Sequence, residues 1–552
     1  MMINVYIQNN VSHRIYPFGT SLQEIVEKEK IVLDYPVIGA LVNNKVREMS
    51  YRLHKPVQIH FFDMTSAYGI EMYNRSSYFI LFKAIGEILP EVNLKILHSI
   101  SGGKYCELEN YNQPIEQELV ENIEQKMWEI IHKNLPFVRE EMPTENALEE
   151  FRKHNLTAKI DLLASRKNIY TSVYRLNDYV NYYYGVLVPS TGMINCFKLE
   201  QYEGGLLLKL PSRKYPASVN QTHKLPKLFS VYSTHKKWVE KIGVPYVIDI
   251  NKKVENNEIE EFIKISEAFH EKLIANLADE IHQRENVKMV LLSGPSSSGK
   301  TTTCRRLSVQ LGVLGYKPLQ ISVDDFFVER DETPLDANGN YNFETIEAID
   351  LPLFNKTLNQ LINGEMVELP TFNFTTGKKE WKGHRIQMEP NSILVIEGIH
   401  CLNPKLTAQI DDSNKFKIFV SALTSVSIDS QNPIPTTDNR LIRRIIRDYR
   451  YRGYSALETL RRWQSVRDGE YRYIFPYQEN ADVMFNTSLI CELGVLKQYA
   501  VPILREVPES EPEFAEAVRL LKFLSFFKTI PEKAVPGGSI LREFVGGSTF
   551  KY

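Results

Sequence analysis

Gly294-Pro295-Ser296-Ser297-Ser298-Gly299-Lys300-Thr301 reads G-x-x-x-x-G-K-T. Residues of these types at this spacing suit one task, holding the phosphates of a nucleotide. Glycines let backbone N–H groups close around an anion, and a helix starting there adds the positive end of its dipole. Lys300 would reach the β- and γ-phosphates, and the Thr301 hydroxyl would ligate Mg²⁺. The pattern predicts ATP contacts from Gly294, Pro295, Ser296, Ser297, Ser298, Gly299, Lys300, Thr301 and Thr302.

Acidic residues follow two apolar runs downstream. Asp324 and Asp325 end Leu319–Val323, and Glu397 ends Ser392–Ile396. Transfer to a hydroxyl needs one carboxylate to orient or deprotonate the acceptor and another to hold Mg²⁺ or its waters. Farther on, Arg440, Arg443, Arg444 and Arg447 share one helical face, and residues 440 to 472 hold ten arginines against four acids. Leu441, Ile442, Ile445 and Ile446 give the same helix an apolar side. A docked lid that closes over a transferring phosphoryl group is the reading favoured over a solvated face or an RNA-binding patch.

These residues need elements to carry them. Val287–Leu292 reads as a strand and Thr302–Leu311 as a helix, the context that makes the glycine pattern a P-loop. Strands at 319–323, 392–396, 416–420 and 482–486 predict a parallel α/β sheet, with ligands at the strand C-termini. Upstream, 258–285 has apolar residues at helical spacing and predicts a long amphipathic helix. It either packs on the P-loop core or couples that core to the front of the chain. Residues 211–285 as a whole read as connector and helix.

Composition sets bounds. The 552 residues allow about three or four domains. A net charge of −2 puts any basic site in a local patch. Cys106, Cys196, Cys304, Cys401 and Cys491 form no C-x-x-C pair, so neither a disulfide framework nor a cysteine zinc site is expected. The N-terminus lacks a signal-peptide pattern, and no uncharged apolar run is long enough for a membrane span. The expectation is a soluble, cytoplasmic protein.

Ordered motifs carry a family likeness. After the P-loop come Ser322–Phe327, Phe343–Asp350, Leu369–Phe374, Ile396–Ile399, Arg440–Asp448 and Ala481–Val483. In that order they resemble the uridine kinase and phosphoribulokinase family, and the segment expected to fold that way is 286–552. The resemblance implies an ATP- and Mg²⁺-dependent kinase acting on a small molecule, foremost the 5′-hydroxyl of a nucleoside. It implies Asp324 as the base, Asp325, Glu347 and Phe372 at the acceptor, Glu397 with Thr301 at Mg²⁺, and Arg440, Arg443 and Arg444 in the lid. A tyrosine and a histidine that read the pyrimidine in uridine kinases are here Phe372 and Gly377.

The front resembles two other modules. Residues 1–62, with Gly19, Thr20 and Ala40 to Asn43, are similar to the ubiquitin-like TGS domain. Residues 63–210, through Gly185–Leu199, resemble the second additional domain of threonyl-tRNA synthetases, an α+β editing domain. That family's H-x-x-x-H pair is here Arg75 and Phe79, and neither residue can serve as its metal ligand. The expectation is a retained scaffold without the editing hydrolase. A nucleotide-switched, RNA-binding regulator is the main alternative and a tRNA-editing hydrolase the weaker one. No residue pattern supports RNA contact by the front half.

Overall fold

The computed structural model describes all residues except 220, 336–338, 340, 374–375 and 552. Phe374 and Thr375, within the expected acceptor segment, therefore lie outside the described residues.

Alternation builds the first sheet. Ile3, Val5 and Ile7 of strand Met2–Ile7 point inward, and the strand pairs with Ser12–Pro17 on one side and Val57–Phe62 on the other. Gly39–Val42 and Lys45–Glu48 complete five strands. Helix Leu22–Glu29 crosses this sheet. Ser21 is its cap, in a capping box with Glu24, an arrangement typically contributing about 1 kcal/mol.

The second unit packs helices Ala67–Ile88 and Gln117–His132 against a four-stranded antiparallel sheet, with a three-stranded sheet beside it. Its apolar core does not end at residue 210. One continuous cluster includes Phe79, Leu163 and Val180 from the front, and Leu441, Ile445, Leu496 and Phe523 from the C-terminal half. A buried polar network adds to the join. Lys159 Nζ donates to Gln431 Oε1 at 3.1 Å and lies 3.7 Å from Asp429. Asn181 Nδ2 donates to the same Gln431 oxygen at 2.7 Å. Breaking a buried ion pair by removing one partner typically costs about 3–5 kcal/mol.

The third sheet is parallel throughout, in the order Lys317–Ser322, Ser392–Glu397, Met289–Ser293, Lys415–Ser421, Val483–Asn486. Side-chain alternation sends Met289, Leu291, Leu394 and Ile396 into one core, with Phe326 and Phe354. Val290, Leu292, Val395 and Ile418 enter a second core on the opposite face, with Leu307. Both faces are covered, which explains the uninterrupted apolar runs. Helix Ile259–Gln283 serves two cores. Phe262 and Ile263 join the front cluster, while Ile274, Leu277 and Ile281 lie beneath the parallel sheet. Its two ends therefore pack in different apolar clusters.

Among the described residues no helix is long and apolar enough to cross a membrane.

Candidate active site

The loop after Met289–Ser293 turns where its residue types demand. Ser297 and Gly299 have positive φ, 56° and 83°. A Cβ on Gly294 would lie 2.2 Å from the Val420 carbonyl oxygen, so only glycine fits there. Helix Lys300–Val313 then begins. Lys300 Nζ bends back over the loop, donating to the Gly294 and Pro295 carbonyls at 3.0 and 3.3 Å. The Thr301 hydroxyl donates to Glu397 Oε1 at 3.0 Å.

Thr302, expected at ATP, has a protein partner here. It is fully buried, and Glu543 of the C-terminal segment accepts from its hydroxyl at 2.6 Å and its N–H at 3.3 Å. The same segment places Ile540 against Gly299.

Three carboxyls crowd the region around Lys300. Burial raises Glu397 to about 7, against the pull of Lys300 and the Thr301 hydrogen bond. Burial also raises Glu344 to about 7, with Glu470 and Asp324 adding repulsion and Arg444 and Lys300 opposing it. Asp324 reaches solvent yet is poorly hydrated in the cleft, which raises it too, while Lys300, Arg452 and Arg447 act the other way. Carboxyls pushed toward neutrality by burial and mutual repulsion suit an added cation, so the donor set fits Mg²⁺ at Glu397 and Thr301.

The two adjacent aspartates separate cleanly. Among the described residues no group hydrogen-bonds Asp324, whereas Asp325 Oδ1 accepts the Phe372 N–H at 3.2 Å. Asp325 thereby fixes strand Val367–Asn373, and Asp324 is left facing the cleft.

Two residues expected at the acceptor have other neighbours here. Glu347 is exposed and accepts a hydrogen bond from the Thr345 hydroxyl. The residue that senses Asp324 and Lys300 is Glu344, three positions earlier. The Phe372 ring is 4% exposed and meets Phe327 edge-on at 5.5 Å. It belongs to the core beneath the cleft and is not presented for stacking on a ligand. Gly377 closes the hairpin at φ 73°, and a Cβ there would approach Arg330 to 2.7 Å. Backbone geometry excludes a larger residue at that position.

The arginine helix, Thr436–Tyr451, is docked as expected, but its arginines divide into two sets. Arg440 and Arg443 are buried and paired with Glu470 and Glu492. They grip the loop from outside: Arg440 Nε donates to the Ser296 carbonyl at 3.0 Å, and Arg443 Nη1 donates to the Ser297 carbonyl at 3.5 Å. Glu470 Oε1 also accepts the Ser296 N–H at 3.1 Å. These two arginines position the loop, and their charge is already neutralised. Arg444 differs, with Nη1 donating to Ser296 Oγ at 2.7 Å.

Arg444, Arg447 and Arg452 share one buried carboxylate, Asp448, at 3.1, 3.0 and 3.5 Å. Three cations on one anion leave positive charge in excess. Arg447 and Arg452 are the arginines whose field reaches Asp324. They were legible as part of the arginine run but were not assigned to the site. Glu344, Glu470, Glu492 and Glu543 were missed as well. The last three lie 30 or more residues from their partners in the chain, and no local spacing marks them.

In the front unit, Phe79 is buried against Phe82, Phe137 and Tyr183, with ring centres 5.8 to 6.4 Å apart. Arg75 Nε donates to the Val186 carbonyl at 3.2 Å. Purified protein should therefore carry no stoichiometric zinc. One zinc per chain by elemental analysis, bound at this helix, would overturn that.

Residues 289–490 match the family model described as Phosphoribulokinase / Uridine kinase family. The uridine kinase of Ligilactobacillus salivarius is 28% identical over 203 residues, which cover 36% of this chain and 86% of that enzyme. The front part matches threonine–tRNA ligases. That of Clostridium kluyveri is 30% identical over 204 residues, 37% of this chain. That of Desulforamulus reducens is 28% identical over 204 residues. The matched part spans about a third of each ligase, 32%. A solved structure described as a possible uridine kinase from Bacillus stearothermophilus aligns with 39% of this chain and 97% of its own, at 20% identity and a TM-score of 0.27.

Proposed function

We propose that the protein is an ATP- and Mg²⁺-dependent kinase that transfers the γ-phosphate to a hydroxyl of a small molecule, a nucleoside 5′-hydroxyl foremost. The observation that carries this reading is Asp324, unpartnered at a strand C-terminus, facing Lys300 of the P-loop and the Arg447–Arg452 pair. Asp324 orients the acceptor hydroxyl and takes its proton. Lys300 and the loop N–H groups hold the β- and γ-phosphates. Thr301 and Glu397 would hold Mg²⁺, which supplies charge neutralisation between the phosphates. The surplus charge of Arg444, Arg447 and Arg452 stabilises the transferring phosphoryl group. The kinase-family match over 289–490 supports the same chemistry.

The editing-hydrolase alternative loses ground to Phe79, whose ring fills the core at that place. RNA contact by the ligase-like front remains a second role compatible with kinase chemistry.

Acceptor choice follows from what lines the cleft. Phe372 is turned into the core, and Gly377 offers no side chain to read a polar base edge. Lys379 is committed to Asp350, and Asn373 Nδ2 to Glu380 at 2.6 Å. A pocket built to pair with a polar edge discriminates by about 10⁴ or more, an apolar one by roughly 10- to 200-fold. We therefore expect weak selection for pyrimidines. The test is kcat/KM across uridine, cytidine, adenosine, guanosine, inosine and ribose with ATP as donor. A preference for uridine above about 10³ over the purine nucleosides would contradict it.

A further inference from the structure

Two amides of the P-loop region donate to carboxylates of the chain itself. Helix Lys300–Val313 begins at the loop, and the N–H groups of a first helical turn lack carbonyl partners within the helix. That of Thr302 goes to Glu543 Oε2 at 3.3 Å, and the Thr302 hydroxyl donates to the same oxygen at 2.6 Å. On the other side of the loop, Glu470 Oε1 accepts the Ser296 N–H at 3.1 Å. The two carboxylates differ in their freedom. Glu470 is fully buried and paired with Arg440, so its charge is neutralised and its place is fixed. Glu543 reaches solvent, and among the described residues no ion pair holds it.

The backbone that carries Glu543 is anchored. It forms the helical turn Arg542–Val545, and Leu541, Phe544 and Val545 are buried in the cluster shared with the front half. The Phe544 ring centre lies 5.1 Å from the Arg443 guanidinium. Arg542 Nη2 donates to the Glu532 and Val535 carbonyls at 3.0 and 2.6 Å. Ile540 lies over Gly299, where an added Cβ would meet its Cδ1 at 2.6 Å. Rotation of the Glu543 side chain can release Thr302 without unpacking any of this. In a P-loop the lysine serves the β- and γ-phosphates, and amides at the helix start serve the α- and β-phosphates. Thr302 is the second residue after Lys300, inside that helix start. Carboxylate and phosphate are both anions favoured at this end of a helix, and one N–H cannot serve both fully.

We propose that Glu543 is a built-in competitor of the donor nucleotide, its carboxylate holding the Thr302 N–H and hydroxyl in place of the α-phosphate until its side chain turns away. The proposal rests on the kinase reading given above. It makes nucleotide affinity a property of the C-terminal segment as well as of the loop. The observed affinity is the intrinsic one multiplied by the fraction of molecules in which Glu543 is turned away. Anything that draws Glu543 off Thr302 therefore tightens nucleotide binding.

The test is calorimetric titration of ADP with Mg²⁺ into the full-length protein and its Glu543→Gln variant. ADP carries the α- and β-phosphates and lacks the γ-phosphate, so no turnover intervenes. Glutamine keeps the shape and can still accept from the Thr302 hydroxyl, so the melting curve should not move. It lacks the charge, and hydrogen bonds to a charged acceptor are roughly twice as strong as neutral ones. ADP should therefore bind Glu543→Gln about tenfold more tightly than the unaltered protein. Glu543→Asp keeps the charge on a side chain one methylene shorter, and its affinity should fall between the two. Equal affinity in Glu543→Gln and the unaltered protein would overturn the proposal and leave the kinase reading standing. Weaker binding by Glu543→Gln would make Glu543 a ligand of the nucleotide, which also overturns it. ADP binding by none of the three proteins would overturn both.

Discussion

Lys300→Ala should abolish phosphoryl transfer while leaving the protein folded. Lys300 is half-buried, and its ammonium donates to two carbonyls of its own loop. Truncation removes no core packing, and Glu397 loses the pull of Lys300 but keeps its Thr301 hydrogen bond. The loop itself is held by other means: by Arg440 and Glu470 at Ser296, and by the glycine conformations at 294 and 299. Chemistry and fold are therefore separable at this position. The measurement is acceptor-dependent ADP release, with circular dichroism and a melting curve as controls. Full turnover in a folded Lys300→Ala protein would remove the P-loop assignment.

Asp324→Asn should lower turnover by about 10² to 10⁴, the usual contribution of a positioned base. The substitution keeps size and removes the proton acceptor. Asp325→Asn should cost less, because an amide oxygen can still accept the Phe372 N–H that Asp325 Oδ1 accepts now. The pair of variants forms an internal comparison on neighbouring residues of one turn. If Asp325→Asn proved the more damaging, Asp325 would be the base and Asp324 the spectator.

The parallel sheet, the loop and the order of the acidic strand ends were legible in the sequence because each rests on local pattern. Val290 and Leu291 sit in a run apolar on both faces, and glycines 294 and 299 occupy positions where a side chain collides. What was not legible is long-range. Glu470 lies thirty residues from Arg440, and Glu543 more than two hundred from Thr302. Nothing in their neighbourhoods distinguishes them from surface acids. The difference between Glu344 and Glu347 is one turn of backbone at Thr345, which sends one carboxyl toward Lys300 and the other to solvent. Phe372 looked like a ligand-facing aromatic by its place in a motif, but strand alternation turned it inward. The buried state of Arg440 and Arg443 was hidden for a related reason. A helix with both apolar residues and arginines reads as amphipathic, and the distant Glu470 and Glu492 neutralise the two arginines that it buries.

The most direct test of the account follows the phosphorus atom. The protein is incubated with Mg²⁺ and ATP labelled at the γ-position, with each nucleoside in turn, and the products are separated. Label is expected on the nucleoside 5′-oxygen, dependent on Mg²⁺ and lost in both Lys300→Ala and Asp324→Asn. Label found solely in inorganic phosphate, at a rate indifferent to every hydroxyl acceptor and to both substitutions, would contradict it.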